Sequence, residues 1–138
     1  MVLDGDRVLL CLREERMFRG GKWCLPGGYM EFDEDFLTAG RREVREETGL
    51  DVEIEAILTV VSNFHSADMP TLSITLLARP VGGTAEPRDE TQAVTWHPVK
   101  DALPEMAFEH HQHIIQRYLA TDLRGIPVDP RYAKGATP

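Results

Sequence analysis

The stretch that most constrains this chain is residues 33–48, where a helical pattern of apolar residues runs beside a dense group of glutamates. At about 100° per residue, one stripe of this helix is apolar and consists of Phe36, Leu37, Gly40 and Val44. Such a stripe predicts a helix that packs one side against a hydrophobic core. The rest of the chain must supply that core.

Both ends of this helix carry recognisable signals. Asp33 is predicted to cap the start, since its carboxylate can accept hydrogen bonds from the first backbone N–H groups. Gly49 is predicted to end the helix, because glycine adopts the left-handed conformation readily. Upstream, the sequence Pro26-Gly27-Gly28 predicts a sharp turn, since proline fixes φ and glycine permits positive φ.

Three glutamates border the apolar stripe. With Val44 taken as zero, Glu47 lies at about −60°, Glu43 at about −100° and Glu46 at about −160° around the helix. Glu43 and Glu47 are four residues apart, where like charges cost roughly a few tenths of a kcal/mol. A divalent cation would remove that conflict, because carboxylate oxygens are the hard ligands that Mg²⁺ or Mn²⁺ requires. The alternative is an ordinary solvated face, on which neighbouring arginines pair with the glutamates.

The remaining segments predict a mixed α/β domain in which helices cover a sheet. Strands are expected from apolar or alternating patterns at residues 7–12, 22–25, 52–64, 71–81 and 93–99. A second helix is expected at 107–123, and the chain divides into one domain over 1–121 and a Pro/Gly-rich tail over 122–138. Little sequence precedes the first strand, so we expect a partner subunit to cover that sheet edge or a further strand to lie outside this chain.

Composition excludes several classes of function. The chain has 138 residues and a net charge of −8, which argues against binding to a nucleic-acid backbone. No apolar run approaches the roughly 20 residues that span a bilayer, and the N-terminus lacks the basic region of a signal peptide. Cys11 and Cys24 are too few for a disulfide framework or a four-ligand zinc site, so we expect buried thiols in a reducing cytoplasm.

The segment from Gly28 to Leu50 resembles the complete signature of the Nudix hydrolases, G-x5-E-x7-R-E-U-x-E-E-x-G-U, where U is aliphatic. Every fixed position matches, and the matching residues are Gly28, Glu34, Arg42, Glu43, Val44, Glu46, Glu47, Gly49 and Leu50. The resemblance covers roughly residues 7–119. It implies an α/β/α sandwich with a mixed sheet and a loop–helix–loop catalytic motif.

The same resemblance implies a role for each acidic residue. Glu46 and Glu47 match the metal-binding pair, and Glu43 matches a third carboxylate that acts as ligand or general base. Gly27 is placed to offer its backbone carbonyl to the metal ion. The implied cofactor is Mg²⁺ or Mn²⁺.

Other matched positions support the site or contact the substrate. Gly28, Glu34 and Arg42 are implied to be structural, with an ion pair between Glu34 and Arg42 that fixes the loop onto the helix. Arg13 lies at a strand end from which family members reach substrate phosphates, and an exposed loop arginine is the alternative.

The resemblance also implies that a later loop supplies a further carboxylate as ligand or base. Glu90 is the first candidate and Glu86 the second, although either could be an ordinary polar loop residue. Four residues are candidates for contacting the nucleotide base, where stacking on an aromatic ring is favourable: Phe64, His65, Tyr29 and Phe108. A core or rim role is the alternative for each.

The histidines of "EHHQH" invite a metal-site interpretation. His110 and His113 share a helix face, but His111 points elsewhere, and no cysteine or carboxylate completes an obvious set. We therefore favour a polar helix face near the substrate pocket over a zinc site.

The resemblance implies a metal-dependent hydrolase that cleaves the diphosphate of a nucleoside diphosphate linked to another moiety, and the two free cysteines lead us to expect a cytoplasmic location. ADP-ribose or NADH is the substrate type favoured by the resemblance. Hydrolysis of nucleoside triphosphates and a non-catalytic nucleotide sensor are the alternatives. The partner is expected to be this small molecule, with no nucleic-acid polymer and no membrane, and the resemblance implies a homodimer.

Overall fold

A computed structural model describes residues 1–63, 70–121 and 124–127. In chain order these residues form β1 (Leu3–Asp4), β2 (Arg7–Arg13), β3 (Trp23–Cys24), α1 (Phe36–Thr48), β4 (Leu50–Asn63), β5 (Thr71–Gly83), β6 (Thr91–Pro98), α2 (Glu109–Thr121) and β7 (Ile126–Pro127). The described helices include none long and apolar enough to cross a membrane.

The strands form two sheets around a shared interior. In the first sheet β2 pairs antiparallel with β6 along its length and with β1 and β3 at its two ends. In the second sheet β4 pairs antiparallel with β5 and β7. A parallel bridge between Val2 and Ala78 links the N-terminal segment of the first sheet to β5 of the second.

The interior is built around β2, whose residues are covered on both faces. Val8 and Leu10 lie in a buried cluster with Ile115 of α2, whereas Leu9 lies in a second cluster with Val44 of α1. Because successive residues of a strand point to opposite faces, this alternation places the two helices on opposite sides of the sheet region. The α/β/α sandwich implied by the resemblance is confirmed.

Helix α1 packs as its pattern predicts. Leu37 and Val44 are buried, and Phe36 packs against the same cluster. Gly40 is tightly enclosed, since a Cβ there would lie 2.9 Å from Leu76 Cδ1. Gly49 ends the helix at φ 73°, with its N–H donated to the Arg45 carbonyl at 2.9 Å, as expected.

The predicted N-cap is wrong. Asp35, not Asp33, caps α1, because its Oδ1 accepts hydrogen bonds from the N–H groups of Leu37 and Thr38 at 2.9 Å. A capping side chain must directly precede the first helical residue to reach those groups, and Asp33 lies too far upstream. The sequence contains two aspartates that could cap the helix, and the path of the loop determines which of them does so.

Several predicted boundaries also shift. The strand expected at 52–64 begins at Leu50, directly after the helix stop, and the strand expected at 93–99 begins at Thr91. The second helix is shorter than the expected 107–123 and spans Glu109–Thr121. Ile126 pairs with Ile57 of β4, so part of the predicted tail adds a strand to the sheet.

Candidate active site

Arg42, in the middle of α1, ties the loop before the helix to the helix itself. Its Nε and Nη2 donate to the two carboxylate oxygens of Glu34 at 3.1 and 2.6 Å, and Nη2 also donates to the Tyr29 carbonyl at 3.0 Å. The Glu34 side chain is only 8% exposed, and the Arg42 hydrogen bonds lower the pKa of its carboxyl group. This two-point contact fixes both the position and the orientation of the loop.

The same guanidinium gathers two of the three clustered glutamates. Nη1 of Arg42 donates to Glu43 at 2.9 Å and to Glu46 at 3.0 Å. The Glu43 side chain is 15% exposed and the Glu46 side chain 50% exposed, so the pair runs from the half-buried edge of α1 towards solvent. Arg42 therefore offsets the mutual repulsion of carboxylates that the sequence places side by side.

Glu47 reaches the glycine turn directly. Its Oε2 accepts a hydrogen bond from the Gly27 N–H at 3.0 Å, across 20 residues of chain. The pKa of Glu47 is raised to about 7, mainly by burial; the charge of Glu43 also raises it, whereas the Gly27 hydrogen bond and the charge of Arg13 oppose the shift. A carboxyl group whose pKa is raised in this way by burial and a neighbouring charge is typical of a functional site.

Glu43 is held against the adjacent glycine. A Cβ on Gly28 would lie 2.5 Å from Oε1 of Glu43, so the carboxylate occupies the space that any side chain at position 28 would need. Burial raises the pKa of Glu43, and the hydrogen bond from Arg42 opposes that shift. The Gly27-Gly28 turn is thus the surface onto which two carboxylates of α1 converge.

The donor set on this helix suits a divalent cation. Glu43, Glu46 and Glu47 offer hard carboxylate oxygens, and the turn at Gly27 adds backbone groups, which is the chemistry that Mg²⁺ and Mn²⁺ prefer. As the side chains stand, no group of three His, Cys, Asp or Glu within the described ranges is arranged to hold a metal ion. Arg42 holds one oxygen of Glu43 and one of Glu46 by hydrogen bonds.

Arg13, at the end of β2, lies on the same side of the molecule. Its Nε donates to the Phe18 carbonyl at 3.0 Å, and its guanidinium carbon lies 5.3 Å from the centre of the Phe108 ring. Its charge contributes to the lowering of the Glu47 pKa described above, which places Arg13 within electrostatic reach of the carboxylates.

The loop before β6 contains acidic residues that differ in placement. Glu90 is exposed, and its backbone carbonyl accepts a bond from the Glu14 N–H at 3.1 Å. The Glu86 carboxylate is bound by Arg88, with Nε at 2.8 Å. Asp89, at φ 49°, is the loop carboxylate whose charge raises the pKa of Glu47. Sequence reasoning did not single out Asp89, because nothing in "RDE" distinguishes it from its neighbours.

The candidates for contacting the base are only partly placed. Phe64 and His65 lie outside the described residues. Tyr29 is 75% exposed beside the glycine turn, and Phe108 is half-buried at the start of α2.

The histidines of α2 act differently from the glutamates of α1. Nδ1 of His111 accepts a hydrogen bond from the Leu25 N–H at 3.1 Å, two residues before Gly27. Burial lowers the pKa of His111 to about 3, so the neutral ring is the acceptor at physiological pH. His111 therefore anchors the chain leading into the glycine turn, while His113 is exposed on the helix surface.

The sequence and the fold are similar to those of known proteins. A family model described as "NUDIX domain" matches residues 1–118. The human protein named "8-oxo-dGDP phosphatase NUDT18" is 38% identical over 105 residues, which cover 73% of this chain and 31% of that protein. An "ADP-ribose pyrophosphatase" of Methanocaldococcus jannaschii is 31% identical over 115 residues, covering 83% of this chain and 66% of the relative.

A solved structure of a known protein has a similar fold. The crystal structure of a NUDIX hydrolase from Nitrosomonas europaea superimposes with a TM-score of 0.79 at 27% identity, covering 93% of this chain and 71% of that one. The chain spans about a third of the length of the human relative, so the similarity does not by itself assign the activity of that longer protein to this chain.

Proposed function

The chain belongs to the Nudix family, and on that premise we propose that it is a metal-dependent hydrolase that cleaves the diphosphate of a nucleoside diphosphate linked to another moiety. The observation that carries this proposal is the convergence of Glu43 and Glu47 on the Gly27-Gly28 turn. Half-buried carboxylates that crowd a glycine turn are costly for stability alone. They suit a cation that binds a diphosphate.

In this proposal Glu46 and Glu47 hold Mg²⁺ or Mn²⁺ together with the Gly27 carbonyl. The bound ion neutralises diphosphate oxygens and lowers the pKa of a coordinated water. Arg42 and Glu34 keep α1 and its preceding loop in register, so that the ligands stay aligned. Gly28 leaves the space that Glu43 occupies.

A base must accept the proton of the attacking water. We propose Glu43 for this role or for a third ligand, since burial raises its pKa and brings it closer to that of a competent base. Glu90 remains the proposed carboxylate from the later loop. Asp89 joins it as a candidate, because its charge reaches Glu47.

The substrate is proposed to be an adenine dinucleotide or sugar nucleotide such as ADP-ribose or NADH. The M. jannaschii relative is named for ADP-ribose, whereas the human relative is named for 8-oxo-dGDP, which favours cleavage of a damaged nucleoside polyphosphate as the second candidate. Arg13 is proposed to bind phosphate oxygens, and Phe64 and His65 to contact the base.

Activity is tested by incubating the protein with Mg²⁺ or Mn²⁺ and ADP-ribose, NADH, diadenosine polyphosphates or 8-oxo-dGTP. Released mononucleotide is then measured by chromatography. We expect hydrolysis of at least one compound and its loss in Glu46→Gln. Tight binding without turnover of any compound would instead identify a nucleotide sensor.

We also propose a cytoplasmic location and a homodimer. Cys11 and Cys24 are buried free thiols, which accords with a reducing compartment. Analytical ultracentrifugation at micromolar concentration measures the oligomeric state directly, and a single monomeric species would contradict the dimer.

A further inference from the structure

The guanidinium groups of Arg13 and Arg19 both lie close to the ring of Phe108, and neither forms an ion pair among the described residues. The guanidinium carbon of Arg13 lies 5.3 Å and that of Arg19 5.5 Å from the centre of the Phe108 ring. Within the part of the chain that the structure describes, neither side chain forms an ion pair. By contrast, Arg16 on the same loop forms an ion pair with Glu14 at 2.6 Å. Two like charges beside one ring repel each other unless an anion lies between or beside them.

The loop between β2 and β3 holds Arg19 in place despite backbone strain. Arg19 adopts φ 57°, in the left-handed region that few non-glycine residues occupy. A Cβ on Gly20 would lie 2.4 Å from the carbonyl oxygens of Glu14 and Glu15, so glycine is required for the loop to close. Strain of this kind persists where the surrounding structure requires a particular side-chain position.

A hydrogen bond to a residue 88 positions further along the chain fixes the Arg19 guanidinium. Nη1 of Arg19 donates to the Ala107 carbonyl at 2.7 Å. The Ala107 N–H in turn donates to the Trp23 carbonyl of β3 at 2.7 Å, so the segment before α2 is pinned beside the loop. The arginine fork is therefore preorganised, which lowers the entropic cost of binding an anion.

The arginine pair lies on the side of the molecule that carries the glycine turn. Phe108 directly precedes α2, and His111 of that helix accepts the hydrogen bond from Leu25, two residues before Gly27. A nucleotide whose diphosphate lies over Glu43 and Glu47 could thus extend towards Arg13 and Arg19.

We infer that Arg13 and Arg19 bind the terminal phosphate of the substrate and that Arg19 determines specificity. A terminal phosphate monoester carries close to two negative charges near neutral pH and offers three acceptor oxygens, which match two guanidinium groups. The terminal ribose of ADP-ribose is neutral, so it would not neutralise the positive charges of the two arginines. The inference rests on the proposed function and favours its second candidate over ADP-ribose, since it names a nucleoside di- or triphosphate, whose phosphate chain ends in a free phosphate, as the preferred class.

Binding of ADP and ADP-ribose to the full chain tests this inference, because the two ligands share base, sugar and diphosphate and differ at the terminal group. Calorimetry is performed with Ca²⁺ in place of Mg²⁺, so that both ligands bind with little turnover. We expect ADP to bind more tightly. In Arg19→Gln we expect the ADP preference to fall about tenfold, the loss associated with one charge-assisted hydrogen bond. Arg19→Lys, which keeps the charge without the planar fork, should be intermediate.

Arg16→Gln is the matched control, because Arg16 lies on the same loop and already pairs with Glu14. Its ADP preference should stay within about twofold of the native value. Equal weakening of both ligands in Arg19→Gln, an unchanged preference, or no ADP binding in the millimolar range would overturn the inference. Because binding is measured without turnover, a chain that prefers ADP through Arg19 but hydrolyses nothing would overturn the proposed function alone.

Discussion

Helices α1 and α2 are each 13 residues long, and each carries a cluster of side chains that bind metals in other proteins. In α1 the glutamates contact the glycine turn and Arg42, so they converge on groups from a distant part of the chain. In α2 the buried His111 accepts a backbone N–H, while His113 points to solvent. The cluster on α2 therefore supports the site without forming one.

The difference shows that side-chain type and spacing on a helix do not define a metal site. What distinguishes α1 is the turn packed against it, which brings a second set of polar groups to the same carboxylates. Burial then raises the pKa of Glu47 to about 7, whereas burial of His111 lowers its pKa to about 3. In both helices burial disfavours the charged form of the side chain, so it raises the protonated fraction of Glu47 near neutral pH and keeps the imidazole of His111 neutral.

The largest expected effect is a difference in kcat between a variant of α1 and a variant of α2. Glu47→Gln keeps the shape of the side chain but removes the charge that we propose to hold the metal ion, and kcat should fall about a thousandfold. His113→Gln, on the exposed face of α2, should change kcat by less than about twofold. Steady-state kinetics with Mg²⁺ and the best substrate measures both. Similar losses in the two variants would remove the distinction between the helices.

A smaller effect is expected from the residue that organises α1. Arg42→Lys keeps the positive charge but cannot make the two-point contact with Glu34, so alignment of Glu43 and Glu46 should loosen. We expect Mg²⁺ affinity to fall roughly tenfold, the range seen for residues that orient metal ligands. Titration calorimetry measures this change.

Arg79→Lys provides the control, since Arg79 contacts only exposed glutamates of β4, Glu53 and Glu55. Its Mg²⁺ affinity should match that of the native protein. An Arg42→Lys protein with native affinity would show that the arginine network does not position the ligands.

A further effect, similar in size to that of Arg42→Lys, is a pH dependence of Mg²⁺ affinity that only α1 should produce. Because burial raises the pKa of Glu47 to about 7, this group is largely protonated at pH 6 and must release its proton when a metal ion binds. Mg²⁺ affinity should therefore fall by roughly tenfold from pH 8 to pH 6. The dependence should persist in His113→Gln and flatten in Glu47→Gln. A slope that survives in Glu47→Gln would assign the proton to another group.

Much of α1 could be predicted from the sequence because its signals are local. The apolar stripe, the glycine stop and the spacing of the glutamates all lie within residues 33–49, where helical geometry relates position to direction. The contact between Glu34 and Arg42 was expected from the resemblance, and the structure contains it. The cap was misplaced, since two aspartates fit the pattern and the loop path selects Asp35.

The loop residues could not be ranked in the same way. Glu90 was the leading candidate for a further carboxylate, yet Asp89 is the one whose charge reaches Glu47. A loop has no period, so neighbouring side chains point in directions that depend on backbone angles such as the φ of 49° at Asp89. Arg19 was not among the predicted site residues, because it also lies on a loop.

By itself, the sequence determined the carboxylate face of α1 and the family to which the chain belongs, because both depend on residues close together along the chain. Only the tertiary structure decided which groups meet that face. The contacts that build the rest of the site join Leu25 to His111 and Arg19 to Ala107, across 86 and 88 residues. Such contacts follow from how sheets and helices pack, and no local pattern of residue types specifies them.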